Sequence, residues 1–169
     1  IASVAKAVKE AGRVFIVDAM SSFGGVDIEV QNLGIDYLVS SANKCIQGVP
    51  GFSFIICNRA DLIASAGKAR SLSLDLYDQW KTMHVDGKWR FTSPTHVVLA
   101  FAQALRELKK EGGIPAREKR YRENNQLLIE KMEELGIRPY IDAAHQGPII
   151  TTFFYPDRHD FSFQEMYDY

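Results

Sequence analysis

The chain has 169 residues and a formal net charge of −1, with 20 lysines and arginines against 21 aspartates and glutamates. That balance offers no electrostatic case for nucleic acid or an anionic membrane surface, and no apolar run approaches the length of a membrane span. Hydrophobic residues at 46% and charged residues at 24% are ordinary for a soluble globular protein with one core, or one and a fraction domains.

In chain order, Ile1 to Ala11 reads as an amphipathic helix with Ile1, Val4, Ala5 and Val8 on one face, closed by Gly12. No initiating methionine and no basic-then-apolar leader precede it. The expectation is therefore an internal piece of a longer protein. Val14-Phe15-Ile16-Val17 is a continuous apolar run ending at Asp18, which predicts a strand buried on both faces. Gly24-Gly25 and Gly34 punctuate the passage to a second strand, where Ile35, Tyr37 and Val39 alternate. A turn of small residues then carries Lys44, and Phe52 to Cys57 leads out of it as a third strand.

Beyond Asn58 the pattern shifts to helix and connector. Asp61 to Lys68 predicts a short helix and Ser71 to Leu76 an extended piece, while Trp80 to Gly87 fits either state. Ser93-Pro94 supplies an N-cap and a first-turn proline for a helix with Val97, Phe101, Ala104, Leu105 and Leu108 as its buried stripe. Gly112-Gly113 stops it. A second long helix is expected from Ala116 to Leu135, with Tyr121, Leu128, Met132 and Leu135 inward and Gly136 as its stop. The basic stretch Arg117 to Arg122 reads as a solvated helix face rather than a phosphate patch. Ile149 to Phe154 predicts a strand opening a further small sheet, and Ser162-Phe163-Gln164-Glu165 is a capping-box pattern. Alternation of helix and strand in the first forty residues implies an α/β fold.

Two residues stand out chemically. Asp18 and Lys44 follow two strands directly, and ligands of open α/β sheets gather beyond the carboxyl ends of strands. A lysine held between buried strands loses solvation, which lowers its pKa and makes the amine nucleophilic. An ordinary loop lysine pointing to water fits the same segment, and Asp18 alone fits a turn or cap. Together they match what pyridoxal phosphate requires: an amine for the cofactor aldehyde and a carboxylate that keeps the pyridine nitrogen protonated. Cys45 and Cys57 have no metal-type spacing and read as reduced thiols of a cytoplasmic protein. His84, His96, His145 and His159 are scattered, so no metal is proposed.

Val17-Asp18-Ala19-Met20-Ser21-Ser22-Phe23-Gly24-Gly25 resembles the aspartate segment of class V, fold type I aminotransferases. Ser41-Ala42-Asn43-Lys44 with Gly48-Val49-Pro50-Gly51 resembles their lysine segment. The longer runs Ser41 to Gly51 and Lys88 to His96 are similar, more narrowly, to members that move the amino group of 2-aminoethylphosphonate to pyruvate. The resemblance implies the C-terminal half of a large domain with a mixed, mostly parallel sheet and flanking helices over residues 1–113. It implies a linking helix and the start of a small α+β domain over 114–169. It further implies Lys44 as the Schiff-base lysine, Asp18 as partner of the pyridine nitrogen and Met20 against the ring. Ser41 and Asn43 would lie near the cofactor phosphate or hydroxyl. Thr92 would reach the phosphate of a neighbouring subunit, and so the resemblance implies a homodimer with shared active sites.

By the same resemblance the phosphate loop and ring-stacking aromatic would lie upstream of Ile1, and the carboxylate-binding arginine beyond Tyr169. Arg90 is expected in a structural or interface ion pair. Alanine:glyoxylate or serine:pyruvate specificity remains an alternative, as does a non-catalytic fragment or subunit-contact module. A cysteine desulfurase is disfavoured, since that group carries histidine where Asn43 stands, and Cys45 is too near the lysine to sweep over a cofactor.

Overall fold

The structure is a computed structural model describing all residues from Ile1 to Tyr169. Helix α1 (Ala2–Glu10) precedes strands β1 (Ile16–Asp18), β2 (Tyr37–Ser41) and β3 (Ser53–Cys57). Five helices follow: α2 (Arg59–Ala64), α3 (Leu76–Asp86), α4 (Thr95–Glu111), α5 (Gly113–Glu134) and α6 (Phe163–Asp168). The sheet is mixed in the order β1-β2-β3, with β1 parallel to β2 and β2 antiparallel to β3. Asp18 lies opposite Val39, and Ser41 opposite Ser53.

The first core gathers Ala5 of α1 with Phe15, Ala19, Ile28, Ile35 and Leu38, and Val8 and Val17 pack against it. The second joins Ile46, after β2, to Ala104 and Leu108 of α4, with Phe101 beside them. Phe23 packs against both. Its ring meets Phe54 edge-on at 5.5 Å, and Phe52 meets Phe101 edge-on at 5.2 Å. The Lys9 ammonium pairs with Asp36 at 2.7 Å, and Asp36 also accepts from the Phe15 amide at 2.7 Å, tying α1 to the entry of β1. That bonding holds the Asp36 carboxyl below the usual carboxylate range, the Lys9 hydrogen bond first and the Phe15 amide second.

Several expectations are corrected. β1 is not buried on both faces: Phe15 and Val17 face the core, while Val14 and Ile16 are 61% and 63% exposed. The reason is coverage: α1 and the connection carrying Ile28, Val30 and Leu33 pack on the Phe15 and Val17 face, and no core cluster packs on the other. Ser71 to Leu76 forms no strand; the Leu72 carbonyl accepts from Arg90 Nη1 at 2.6 Å instead of joining a ladder. The ambiguous stretch is helical: Asp75 caps α3 by accepting from the Asp78 amide at 3.0 Å, and Gly87 ends it in the left-handed region at φ 74°.

Helix α4 begins at Thr95, with Pro94 rather than Ser93 in the cap position and no side-chain cap bond. Its C-cap is Gly112 at φ 115°, as expected, and α5 starts at once from Gly113. Leu105, Leu128 and Leu135 are exposed, so both inward stripes are narrower than their periodicity suggests. Ile149 to Phe154 makes only an isolated bridge, Pro139 to Phe153. Pro139 has no N–H with which to extend a ladder. Ser162 caps α6, its Oγ accepting from the Glu165 amide at 3.3 Å, which is the N-cap half of the capping box.

Candidate active site

The parallel pairing of β1 and β2 brings the two chemistry-bearing loops to one end of the sheet. Asp18 is the last residue of β1, and Lys44 lies in the turn that leaves β2 after Ser41. The Ala19 amide donates to the Val39 carbonyl at 2.8 Å, so the sheet holds the chain one residue beyond Asp18. Asp18 Oδ1 accepts from the Met20 amide at 2.9 Å, the short-range bond of an Asx turn. Its Oδ2 has no partner within the chain.

The Lys44 turn is tight. The Gln47 amide donates to the Lys44 carbonyl at 2.7 Å, and the Gly48 amide to the Ala42 carbonyl at 2.9 Å. Gln47 has a φ of 63°, in the left-handed region. A Cβ on residue 48 would stand 2.6 Å from the Ala42 oxygen, so glycine is required for close approach. Ala42, Cys45 and Ile46 anchor the turn in the interior, while Asn43 and Lys44 point outward.

The expectation that Lys44 is kept from water is corrected. Its side chain is exposed and makes neither hydrogen bond nor ion pair within the chain. The buried positions of the turn belong to its neighbours, because the turn projects off the end of β2 instead of running between two covered strands. Lys44 opens onto a cavity of about 470 Å³ shared with Ser21, Tyr121, Asn124, Leu128 and Thr151. Asn125 donates to Thr151 Oγ1 at the rim, linking α5 to the segment after Pro148. Cys45 borders the same cavity, but burial pushes its thiol up and Sγ donates to the Ser21 carbonyl at 3.4 Å.

Of the other residues singled out, Met20 is half-buried beside Asp18, and the Ser41 Oγ is buried without a hydrogen-bond partner. Asn43 and Thr92 are exposed and make no side-chain hydrogen bonds. Asp18, Met20, Ser41, Asn43 and Thr92 do not line the cavity that Lys44 enters. Arg90 forms the structural ion pair expected of it, with Asp78 at 3.1 Å.

Sequence reasoning misplaced Arg117, which is only 2% exposed rather than on a solvated face. Arg117 Nη1 donates to the Cys45 carbonyl at 2.7 Å, and Nε donates to Glu111 Oε2 at 2.9 Å. Arg120 Nε donates to the other Glu111 oxygen at 2.9 Å. These bonds, Arg120 first and Arg117 second, hold the Glu111 carboxyl down to about 2. The signal was present: Arg117 stands four residues before Tyr121, on the face already read as inward.

The family profile described as aminotransferase class-V matches residues 1–166, and the chain belongs to that family. It is 59% identical to a Bacillus cytotoxicus protein named 2-aminoethylphosphonate–pyruvate transaminase, over 99% of this chain and 46% of that protein. The chain thus spans about half the length of the curated relatives it matches. Among solved structures, alanine–glyoxylate aminotransferase from Nostoc sp. superposes with a TM-score of 0.77 at 25% identity, over 91% of this chain and 41% of that one. Pyridoxamine-pyruvate aminotransferase from Mesorhizobium loti gives a TM-score of 0.81 at 22% identity, over 92% and 41%, a likeness of fold. The mixed sheet with flanking helices is that of fold type I aminotransferases.

Proposed function

We propose that this chain is part of a transaminase that moves the amino group of 2-aminoethylphosphonate to pyruvate, giving phosphonoacetaldehyde and alanine. The carrying observation is that Asp18 and Lys44 leave adjacent parallel strands at one end of the sheet, in a chain 59% identical to relatives bearing that name. The cofactor of the proposal is pyridoxal 5′-phosphate. Three features fit it: an unengaged Lys44 amine, an unengaged Asp18 Oδ2 and the orphaned, buried Ser41 Oγ. A buried hydroxyl without a partner is costly in isolation, and a ligand oxygen would satisfy it.

When bound, pyridoxal phosphate supplies an aldehyde that condenses with amines and a ring that draws electrons from the bond being broken. Lys44 would hold the resting cofactor through Nζ. Freed by the amino donor, the same Nζ would be the group that takes up and gives back the proton of the substrate carbon. Asp18, as a carboxylate, keeps a proton on the ring nitrogen. Met20 would lie against the ring, and Ser41 and Asn43 would serve its phosphate or hydroxyl. Thr92 serves the phosphate of the second subunit in a homodimer with shared sites. Residues 1–113 belong to the cofactor-binding large domain and 114–169 to the linking helix and the start of the small one. A cytoplasmic location completes the proposal.

The test is reductive trapping. Borohydride treatment of the cofactor-loaded enzyme fixes pyridoxyl on Lys44, and labelling of another lysine overturns the assignment. The substrate is tested separately. With 2-aminoethylphosphonate and pyruvate, alanine forms faster than with serine as donor, and faster than glyoxylate is consumed as acceptor. The reverse ranking favours the alanine–glyoxylate reading, which the likeness to the Nostoc enzyme supports.

A further inference from the structure

Three pieces of chain meet at the start of α5: the loop after Asp18, the turn of Lys44 and the helix itself. From α5, Glu118 Oε2 accepts from the Asp27 amide at 3.3 Å, and the Tyr121 hydroxyl accepts from Gln47 Nε2 at 3.0 Å. The Tyr121 ring also closes on Gly25, where an added Cβ would stand 2.9 Å from its Cε2 and 2.8 Å from Cys45 Sγ. Arg117 is the buried centre of this contact, one arm on the Cys45 carbonyl and another on Glu111.

We propose that Arg117 is a positioning residue for Lys44: by holding the carbonyl of the next residue, it sets the turn that aims the amine. This rests on the reading of Lys44 as the cofactor lysine. The geometry requires a guanidinium. The Cys45 carbonyl and the Glu111 carboxylate are two acceptors on different elements, and a rigid fork reaches both at once. An ammonium gathers its donors on one atom and does not reproduce the spacing by which Nη1 and Nε meet the two acceptors, so one of them is poorly served. The acceptor it abandons is the buried carbonyl or the carboxylate that fixes the helix junction. Gln47, forced to φ 63°, is the strained position of the turn and the first to relax when the carbonyl is released. Glu111 acts behind Arg117, and Arg120, though paired with the same carboxylate, makes no hydrogen bond to the turn, its guanidinium lying over the Tyr121 ring at 5.2 Å.

That asymmetry supplies the control. In the whole protein without cofactor, amide hydrogen exchange at Gln47 and Gly48 accelerates about tenfold or more in Arg117→Lys. It stays within about twofold of the parent in Arg120→Gln, although both variants lose stability. The cofactor is then added, and pyridoxyl trapped on Lys44 by borohydride is followed with time. Trapping slows by about tenfold in Arg117→Lys and is unaltered in Arg120→Gln. Glu111→Gln, which leaves the fork in place, serves if Arg117→Lys does not fold; it moves both readouts in the same direction by a smaller factor. Equal exchange in Arg117→Lys and Arg120→Gln overturns the proposal, and so does faster exchange with unchanged trapping. A parent protein that traps nothing on Lys44 overturns the cofactor reading, while the exchange result still reports whether Arg117 braces the turn.

Discussion

Lys44 owes its position to neighbours that are buried, not to burial of its own. Ala42, Cys45 and Ile46 sit in the interior and Gly48 closes the turn against the Ala42 carbonyl, which leaves the Lys44 side chain outside and unbonded. A side chain with no partner contributes little to stability. Lys44→Ala is therefore expected to melt within a few degrees of the parent while turnover of the loaded enzyme falls by more than about 1000-fold. Thermal unfolding and single-turnover rates check the two halves separately. Asp18→Asn keeps an oxygen to accept from the Met20 amide but loses the negative charge. The loop is then intact, and kcat drops by about 100-fold or more because the ring nitrogen no longer holds its proton. Gly48→Ala acts differently. Its Cβ meets backbone, which cannot step aside as a flexible side chain would, so a loss of about 1–3 kcal/mol is expected in urea unfolding.

At the scale of elements, the junction of α4 and α5 is electrostatic where the sequence looked merely solvated. Glu111 serves two guanidiniums, and its carboxyl falls from an ordinary value near 4.5 to about 2. A depressed acid of this kind stabilises the fold above the unfolded value of 4.5 and loses that contribution as pH falls toward 2. Urea unfolding between pH 5 and pH 2 (a range chosen about those two values) should show a steeper acid loss in the parent than in Glu111→Gln. With a quarter of the carboxyl side chain still exposed, the difference is expected at about 1–2 kcal/mol after solvent screening. Identical acid limbs would show that the junction contributes nothing. Asp36, held down by Lys9 and the Phe15 amide, adds an acid loss of the same sign through the link between α1 and β1.

For the molecule as a whole, only 16 of 169 residues are buried, which leaves apolar side chains such as Val14, Ile16, Ile55, Leu72 and Leu74 open to solvent. Residues 1–169 expressed alone are accordingly expected to bind a hydrophobic dye, to take up pyridoxal phosphate poorly and to show no turnover. Full activity from that piece would refute this view of the site. Much of the plan was legible beforehand because it is local. Apolar runs, glycine stops and the Ser162 cap depend on near neighbours, and the two loops bearing Asp18 and Lys44 follow their strands in plain order. What failed depends on distant partners. Ile149 to Phe154 has strand composition but lacks a ladder partner, Val14 and Ile16 have core composition but lie on an uncovered face, and Ser71 to Leu76 alternates without pairing. The sequence by itself determined that an amine and a carboxylate each stand just beyond a strand, in segments that resemble those of class V aminotransferases, since residue type and order are local. Only the tertiary structure decided that Lys44 stands open on a cavity and that Arg117, 72 positions beyond Cys45, grips the Cys45 carbonyl. Burial and hydrogen-bond partnership are relations between residues remote in the chain, and no local pattern specifies them.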